Sequence, residues 1–299
     1  MLNKEGRCGY VAIVGRPNVG KSTLLNYFLG QKLCITSRKP QTTRHSLLGI
    51  KTENNNQIIY IDTPGIHQRM HNAMNRYLNR AAINSMDGVD VIVWLVEALQ
   101  WTDEDSYVLK ALSDNSIPVI LAVNKVDRIS DKNVLLPYLK KVTNKYNFIE
   151  VFPISALKDQ NLAQLETKII ALLPKGILLF PEEQITDRSE KFLCAEIVRE
   201  KLVRRLGAEL PYRVTVQIEH FKNYRNVDHI SALIWVETEG QKGIIIGKKG
   251  QILKSIGKEA REDMEVWLNH KVFLQLWVKV KKGWCDSERA LQQLGYSEH

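Results

Sequence analysis

The residues best suited to chemistry lie in a few short groups. Gly15-Arg-Pro-Asn-Val-Gly20-Lys21-Ser22 fits the spacing G-x-x-x-x-G-K-S/T. Glycines let such a loop curl until several backbone N–H groups face one anion. A helix that follows adds the positive end of its dipole. Lys21 can then reach the outer phosphates of a nucleotide, and the Ser22 hydroxyl can ligate Mg²⁺. Gly15, Asn18, Val19, Gly20, Lys21, Ser22 and Thr23 are the expected nucleotide-binding residues of this loop. Asp62-Thr-Pro-Gly65 closes an apolar run at 58–61. Asp62 can hold Mg²⁺ through a water, and the Gly65 N–H can approach a γ-phosphate with no side chain in the way. The chemistry these groups suit is removal of a terminal phosphoryl group.

A third group, Asn124-Lys125-Val-Asp127, suits a base. A carboxylate at Asp127 can accept from both N1–H and the exocyclic amine of guanine. Adenine has no matching pair of donors, so the same site rejects it. Asn124 is expected to tie the loop together and the Lys125 stem to cover the base. Ser155-Ala156 follows another apolar run, where a backbone N–H can meet the guanine carbonyl. Between the first two groups lies Arg38-Lys-Pro-Gln-Thr42-Thr43-Arg44, a polar stretch whose threonine can close over Mg²⁺ and the γ-phosphate. GTP or GDP with Mg²⁺ is the expected ligand, and Ser22, Thr43 and Asp62 are the expected metal contacts.

These groups must be positioned by buried strands. Apolar runs at 10–14, 58–61, 89–96, 117–123 and 151–154 are each bounded by Gly, Pro or Asp. Helical spacings lie between them, as at Leu162, Leu165, Ile169 and Leu172. Strands alternating with helices predict an α/β domain with a doubly wound, mostly parallel sheet. The stretch 46–50 is expected to add an antiparallel edge strand. Pro174-Lys-Gly176 ends this pattern, Pro181 interrupts the next run, and 182–187 is polar. The expected division is a nucleotide-binding domain over 1–176, a linker over 177–188 and a second domain over 189–299.

The second domain reads as a smaller α+β unit. Helices are expected at 189–206, capped by Ser189, and at 250–268; strands are expected at 212–221, 230–238 and 271–281. In the last strand Val272, Leu274, Leu276, Val278 and Val280 share one face. Phe273 and Trp277 share the other, and are read as packing residues under the helices in preference to RNA-stacking platforms. Ile244-Ile-Ile-Gly247-Lys248-Lys249-Gly250 puts an apolar run before G-x-x-G, with a helix after it. Two glycines let the backbone pack on a nucleic-acid backbone, and Lys248, Lys249 and Lys254 supply charge.

Composition sets wider limits. The chain has 299 residues, 44% hydrophobic and 25% charged, as expected of a water-soluble globular protein of two modest domains. A formal charge of +9 favours an acidic partner without choosing RNA, DNA or an anionic membrane. The apolar run at 89–99 contains Asp90 and Glu97 and is too short to span a bilayer. Cys8, Cys34, Cys194 and Cys285 form no C-x-x-C pair and are read as free thiols in a reducing cytosol.

The nucleotide motifs, in this order, resemble the translation-factor-related class of P-loop GTPases. The resemblance implies hydrolysis of GTP, with Lys21, Thr43 and Gly65 closest to the reaction. Thr43 is preferred to Thr42 because it stands directly before Arg44, as in related switch segments. Asn18 matches the asparagine that related GTPases use to bind K⁺. Ile66 stands where Ras-like proteins carry the glutamine that orients the attacking water, so slow intrinsic turnover is expected. The element order around the G-x-x-G loop resembles a type II KH domain. From about Gly9 to Lys282 the chain is similar to the Era family, bacterial ribosome-associated GTPases built from a G domain and a KH domain. That likeness implies binding of 16S-type small-subunit rRNA near its 3′ end and a role in maturing the small subunit. It also implies a cytoplasmic monomer with peripheral contact with the inner membrane. The alternative is a GTP-regulated membrane- or protein-interaction switch whose second domain does not read RNA.

Overall fold

A computed structural model of the chain describes residues 6–37, 39, 42–66, 73–113, 116–207, 210–294 and 296, with backbone alone at 211 and 212. Arg38, Pro40 and Gln41 of the polar segment before Thr43 lie outside the described residues. The chain forms two compact units that divide between Asp187 and Arg188, and Ile35–Thr42 and Asn72–Met74 are grouped with the second.

The first unit is built on apolar strands, four of them largely withdrawn from water on both faces and the last, at the sheet edge, part-exposed. These are β1 (Gly6–Val14), β3 (Asn56–Asp62), β4 (Val91–Glu97), β5 (Val119–Asn124) and β6 (Glu150–Pro153), all parallel. Such continuous burial is what covering helices impose on a parallel sheet. The helices are α1 (Lys21–Phe28), α2 (Ala73–Asn84), α3 (Asp103–Leu112), α4 (Leu135–Thr143) and α5 (Leu162–Leu172). The stretch at 46–50 does form an edge strand: β2 (Leu47–Glu53) runs antiparallel to β3. A two-residue β7 (Lys175–Gly176) pairs antiparallel with the start of β1. The sheet order is β2-β3-β1-β4-β5-β6. The order therefore departs in opposite directions from β1, and the crevice beyond its carboxyl end is where doubly wound sheets bind ligands.

Most of the stretch read as a linker is pinned to this sheet. Gln57, fully buried on β3, accepts from the Leu179 and Phe180 amides at 2.8 and 2.9 Å. It donates to the Phe180 carbonyl at 2.8 Å and to Thr52 Oγ1 at 2.9 Å. Further along, the Ile50 amide donates to the Ile185 carbonyl and the Leu48 amide to Asp187 Oδ1, both at 2.9 Å. Gln57→Ala is expected to cost about 2–4 kcal/mol, because it strands two backbone N–H groups and leaves a cavity. Urea unfolding and amide exchange at 179 and 180 would measure it. A loss below about 1 kcal/mol with unchanged exchange would mean the strap holds itself.

The second unit comprises α6 (Glu190–Arg205), β8 (Thr215–Tyr224), β9 (Val227–Val236), α7 (Glu239–Ile246), α8 (Gln251–Leu268), β10 (Lys271–Val280) and α9 (Glu288–Gln293). Ser189 caps α6, its hydroxyl accepting from the Phe192 amide. The sheet order is β10-β9-β8, with β10 parallel and β8 antiparallel to β9. Cys194, Val198 and Leu202 of α6 and Ile256, Ala260 and Met264 of α8 recur every four residues and close one face of this sheet. Cys8, Cys34, Cys194 and Cys285 are buried, and none forms a disulfide among the described residues.

Two expectations need correction. The strand placed at 212–221 begins at Thr215 and runs to Tyr224, after a short turn over Leu210–Arg213. Arg225 and Asn226, at φ 50° and 62°, close the hairpin as two consecutive left-handed residues, the geometry a two-residue turn requires. Phe273 and Trp277 are not packed under helices: they are 49% and 57% exposed, because α6, α7 and α8 all cover the opposite face. In the tail, α9 docks through Leu291, and Tyr296 Oη lies 2.9 Å from Thr215 Oγ1. Residues 295 and 297–299 lie outside the described residues.

Candidate functional site

The phosphate loop leaves β1 at Gly15 and enters α1 after Gly20, which turn through φ 147° and 109°. Among the described residues no side chain caps α1, which leaves its first amides for an anion. Asn18 takes a left-handed turn at φ 62°, Val19 is buried beneath the loop, and Thr23 is half-buried one position beyond Ser22. Lys21 is 5% exposed, and its Nζ donates to the Gly15 and Arg16 carbonyls at 3.0 and 3.1 Å. Burial pushes its ammonium down to about 8, with the Asp62 carboxylate pulling the other way.

Ser22, Thr43 and Asp62 converge beside it. Ser22 Oγ donates to Asp62 Oδ2 at 3.1 Å, Thr43 Oγ1 donates to the same oxygen at 3.2 Å, and the two hydroxyls are 3.0 Å apart. Thr42 turns elsewhere, donating to the Lys39 carbonyl at 2.6 Å. The other oxygen, Asp62 Oδ1, is buried and has no hydrogen-bond partner among the described residues. Burial raises the Asp62 carboxyl, against the pull of Lys21 and its hydrogen bonds. One carboxylate and two hydroxyls around an unsatisfied buried oxygen fit Mg²⁺, which keeps several of its waters, and a dication there would hold the carboxylate ionised.

Thr63 fastens the next loop to β1, donating to the Ile13 carbonyl at 2.8 Å. Gly65 then lies directly on the phosphate loop. A Cβ there would stand 2.6 Å from Pro17 Cγ and 2.8 Å from the Pro17 nitrogen, so only glycine allows this approach. Ile66 points into the core and is fully buried.

The base loop hangs from Asn124. Its Nδ2 donates to the Val19 carbonyl at 2.7 Å, joining the base loop to the phosphate loop. Its Oδ1 accepts from the Lys125 and Ala156 amides at 2.8 and 2.9 Å. Asp127 is exposed, with Oδ1 accepting from Ser155 Oγ at 2.6 Å. Ser155 and Ala156, beyond β6, lie against this loop: the Ser155 amide donates to the Gln160 carbonyl at 3.2 Å and the Ala156 amide to Asn124 Oδ1 at 2.9 Å.

Sequence reasoning missed Glu97, at the end of β4. Its carboxylate pairs with Lys125 Nζ at 2.6 Å, Arg16 Nη2 at 3.3 Å and Arg128 Nη1 at 3.3 Å. Arg16 also reaches buried Asp105 at 3.2 Å. Glu97 thereby holds one residue of the phosphate loop and two of the base-loop turn. Its only sequence signal was a carboxylate inside an apolar run.

In the second unit the G-x-x-G loop joins α7 to α8. Gly247 lies at φ 71°, and a Cβ there would stand 2.5 Å from Ile252 Cγ1. Gly250 begins α8 with no side-chain cap, which leaves amides facing out beside the loop. Lys248, Lys249 and Lys254 are exposed. Lys258 and Arg261, further along α8, are shared with Glu262 and Glu265 at 3.8 and 3.9 Å.

Comparison with known proteins agrees with both halves. A family model described as 50S ribosome-binding GTPase matches residues 10–125, and one described as KH domain matches 209–285. GTPase Era of Marinobacter nauticus is 59% identical over 296 residues, covering 99% of this chain and 97% of its own. GTPase Era of Pseudomonas aeruginosa is 59% identical over 292 residues, covering 98% of this chain and 96% of its own. An Aquifex aeolicus Era variant bound to GDP.AlF4- superposes with a TM-score of 0.94 at 41% identity, over 98% of this chain and 100% of that one. Era in complex with MgGDPNP and nucleotides 1506–1542 of 16S ribosomal RNA gives a TM-score of 0.95 at 41% identity, with the same coverage. With a phosphate loop, a base loop and a G-x-x-G domain in one chain, and relatives alike over almost its whole length, the chain belongs to the Era family of GTPases.

Proposed function

We propose that this protein hydrolyses GTP and binds small-subunit rRNA near its 3′ end, with nucleotide state setting RNA affinity during maturation of the small subunit. The observation that carries the enzymatic half is the convergence of Ser22, Thr43 and Asp62 beside Lys21 at the uncapped start of α1. Lys21 and the loop amides from Gly15 to Thr23 hold the phosphates. Ser22, Thr43 and Asp62 would hold Mg²⁺, which would supply positive charge against the phosphates. The Gly65 amide meets the γ-phosphate. Asp127 accepts from guanine while Asn124, Ser155 and Ala156 keep its loop in place, and the Lys125 stem covers the base. The nucleotide domain in this reading is 1–176, the linker 177–188 and the RNA domain 189–299.

With Ile66 turned into the core, no side chain of that loop position orients the attacking water. Turnover is therefore expected to be slow and to rise in K⁺ through Asn18. Steady-state hydrolysis in matched NaCl and KCl buffers checks this, and equal rates would remove K⁺ from the mechanism.

Coupling to RNA rests on the segment before Thr43. Within the second unit, Glu200 accepts from the Thr36 amide at 3.1 Å, Arg199 donates to the Thr42 carbonyl, and Lys39 Nζ donates to the Val203 carbonyl at 2.6 Å. Any movement of Thr43 on binding GTP pulls on a segment held by α6.

The test is binding of 16S rRNA nucleotides 1506–1542 by the full chain, with GDP or a non-hydrolysable GTP analogue. Lys248→Asp with Lys249→Asp is expected to weaken binding at least a hundredfold and flatten its salt dependence. Equal affinity in both nucleotide states would end the coupling. Unchanged affinity in the double variant would favour a membrane- or protein-interaction module.

Among the described residues no helix is long and apolar enough to cross a membrane. The fuller proposal is a cytoplasmic monomer that touches the inner membrane peripherally through its basic charge. Failure to float with anionic vesicles at low salt would remove the membrane contact, and sedimentation tests the monomer.

A further inference from the structure

The sheet of the second unit has two unlike faces. The inner one is closed by α6, α7 and α8. By register the outer one carries Tyr224 of β8, His229 and Trp235 of β9, and Phe273 and Trp277 of β10. Tyr224, Phe273 and Trp277 are about half exposed. Tyr224, His229 and Phe273 form a row of rings across all three strands, with successive centroids 5.3 and 5.2 Å apart. Trp277 stands four residues along β10 from Phe273, about 13 Å away at a strand rise of ~3.3 Å per residue, and so offers a separate platform. The ammonium groups of Lys279 and Lys281 lie 6.0 and 5.8 Å from the Trp235 ring. Lys222 is exposed on the same face, and Glu219, 3.7 Å from Lys279, is the acid at the β8 bulge.

Open aromatic rings bordered by lysines fit a partner that combines flat apolar surfaces with negative charge. Unpaired bases on a phosphate backbone are that partner: rings stack on the bases without regard to sequence, and the lysines meet phosphates. A second copy of this chain on the same face would bring lysines against lysines.

We infer that the outer face of this sheet is a second RNA-binding surface, separate from the G-x-x-G loop, on which Phe273 and Trp277 stack unpaired bases. This rests on the RNA-binding reading above. In the full chain, Phe273→Ala with Trp277→Ala lowers affinity for nucleotides 1506–1542 of 16S rRNA by roughly ten- to a hundredfold. The slope of log affinity against log salt stays the same, because stacked bases release no counterions. Trp277→Phe retains most of the affinity, and ultraviolet crosslinks from the RNA map to the 273–277 stretch. Unchanged affinity in the double-alanine variant, with binding still lost in Lys248→Asp, Lys249→Asp, overturns the second surface and leaves the first reading intact. A double-alanine variant that changes the sedimentation of the free protein but not its RNA affinity also overturns it, in favour of a contact between copies. No binding of this RNA by the unaltered protein overturns both readings.

Discussion

Asp127→Asn is expected to lower affinity for GTP by roughly a thousandfold or more while leaving the fold intact. The carboxylate can accept two hydrogen bonds from one edge of guanine, and the amide that replaces it can accept only through its oxygen. Its NH₂ would face the exocyclic amine of the base, donor against donor. The same amide suits xanthine, which carries a carbonyl where guanine carries that amine, so affinity for xanthosine triphosphate should rise as that for GTP falls. ATP should remain unbound. Stability separates this from damage to the loop. Asp127 is exposed, and its bond from Ser155 Oγ can pass to the asparagine oxygen. The change in unfolding free energy should stay within about 0.5 kcal/mol, as for other surface substitutions. Competition binding with the three nucleotides is the measurement. A GTP affinity within tenfold of the original would mean that Asp127 does not read the base.

How far the site could be read in advance depended on distance along the chain. The phosphate loop, Asp62, Gly65 and Asn124 were legible because each closes an apolar run, and the carboxyl ends of parallel strands meet at one crevice. Thr43 was legible only through its neighbour Arg44; the geometry that separates it from Thr42 needs Ser22 and Asp62 in place. Glu97 and Gln57 were not legible. A carboxylate in a strand gains meaning only when Arg16, Lys125 and Arg128 arrive from two other segments, and Gln57 only when 179–180 folds back on it. The alternation in β10 sorted Val272 from Phe273 correctly. It could not say that all three packing helices would choose the aliphatic face, which left the aromatic one open.

Lys21→Met should separate what this site costs from what it does. Nearly all of Lys21 is withdrawn from water, and among the described residues its ammonium is held by two loop carbonyls and the fields of Asp62 and Glu104. A buried cation with so little compensation is a liability for folding, and methionine of similar length removes it. The nucleotide-free variant should therefore be as stable as the original protein, or more so. Function should move the other way. Phosphates lose a preorganised cation in a site closed to water, where removal of one donor costs about a hundred- to a thousandfold in rate. Hydrolysis should fall by at least that factor, and the rise in melting temperature that GDP or GTP gives the original protein should nearly vanish. Thermal unfolding with and without nucleotide, beside single-turnover hydrolysis, tests both halves. Hydrolysis within tenfold of the original would remove Lys21 from the reaction. A nucleotide-free variant weakened by several kcal/mol would make Lys21 a structural clasp for the Gly15 and Arg16 carbonyls, with its effect on phosphate secondary.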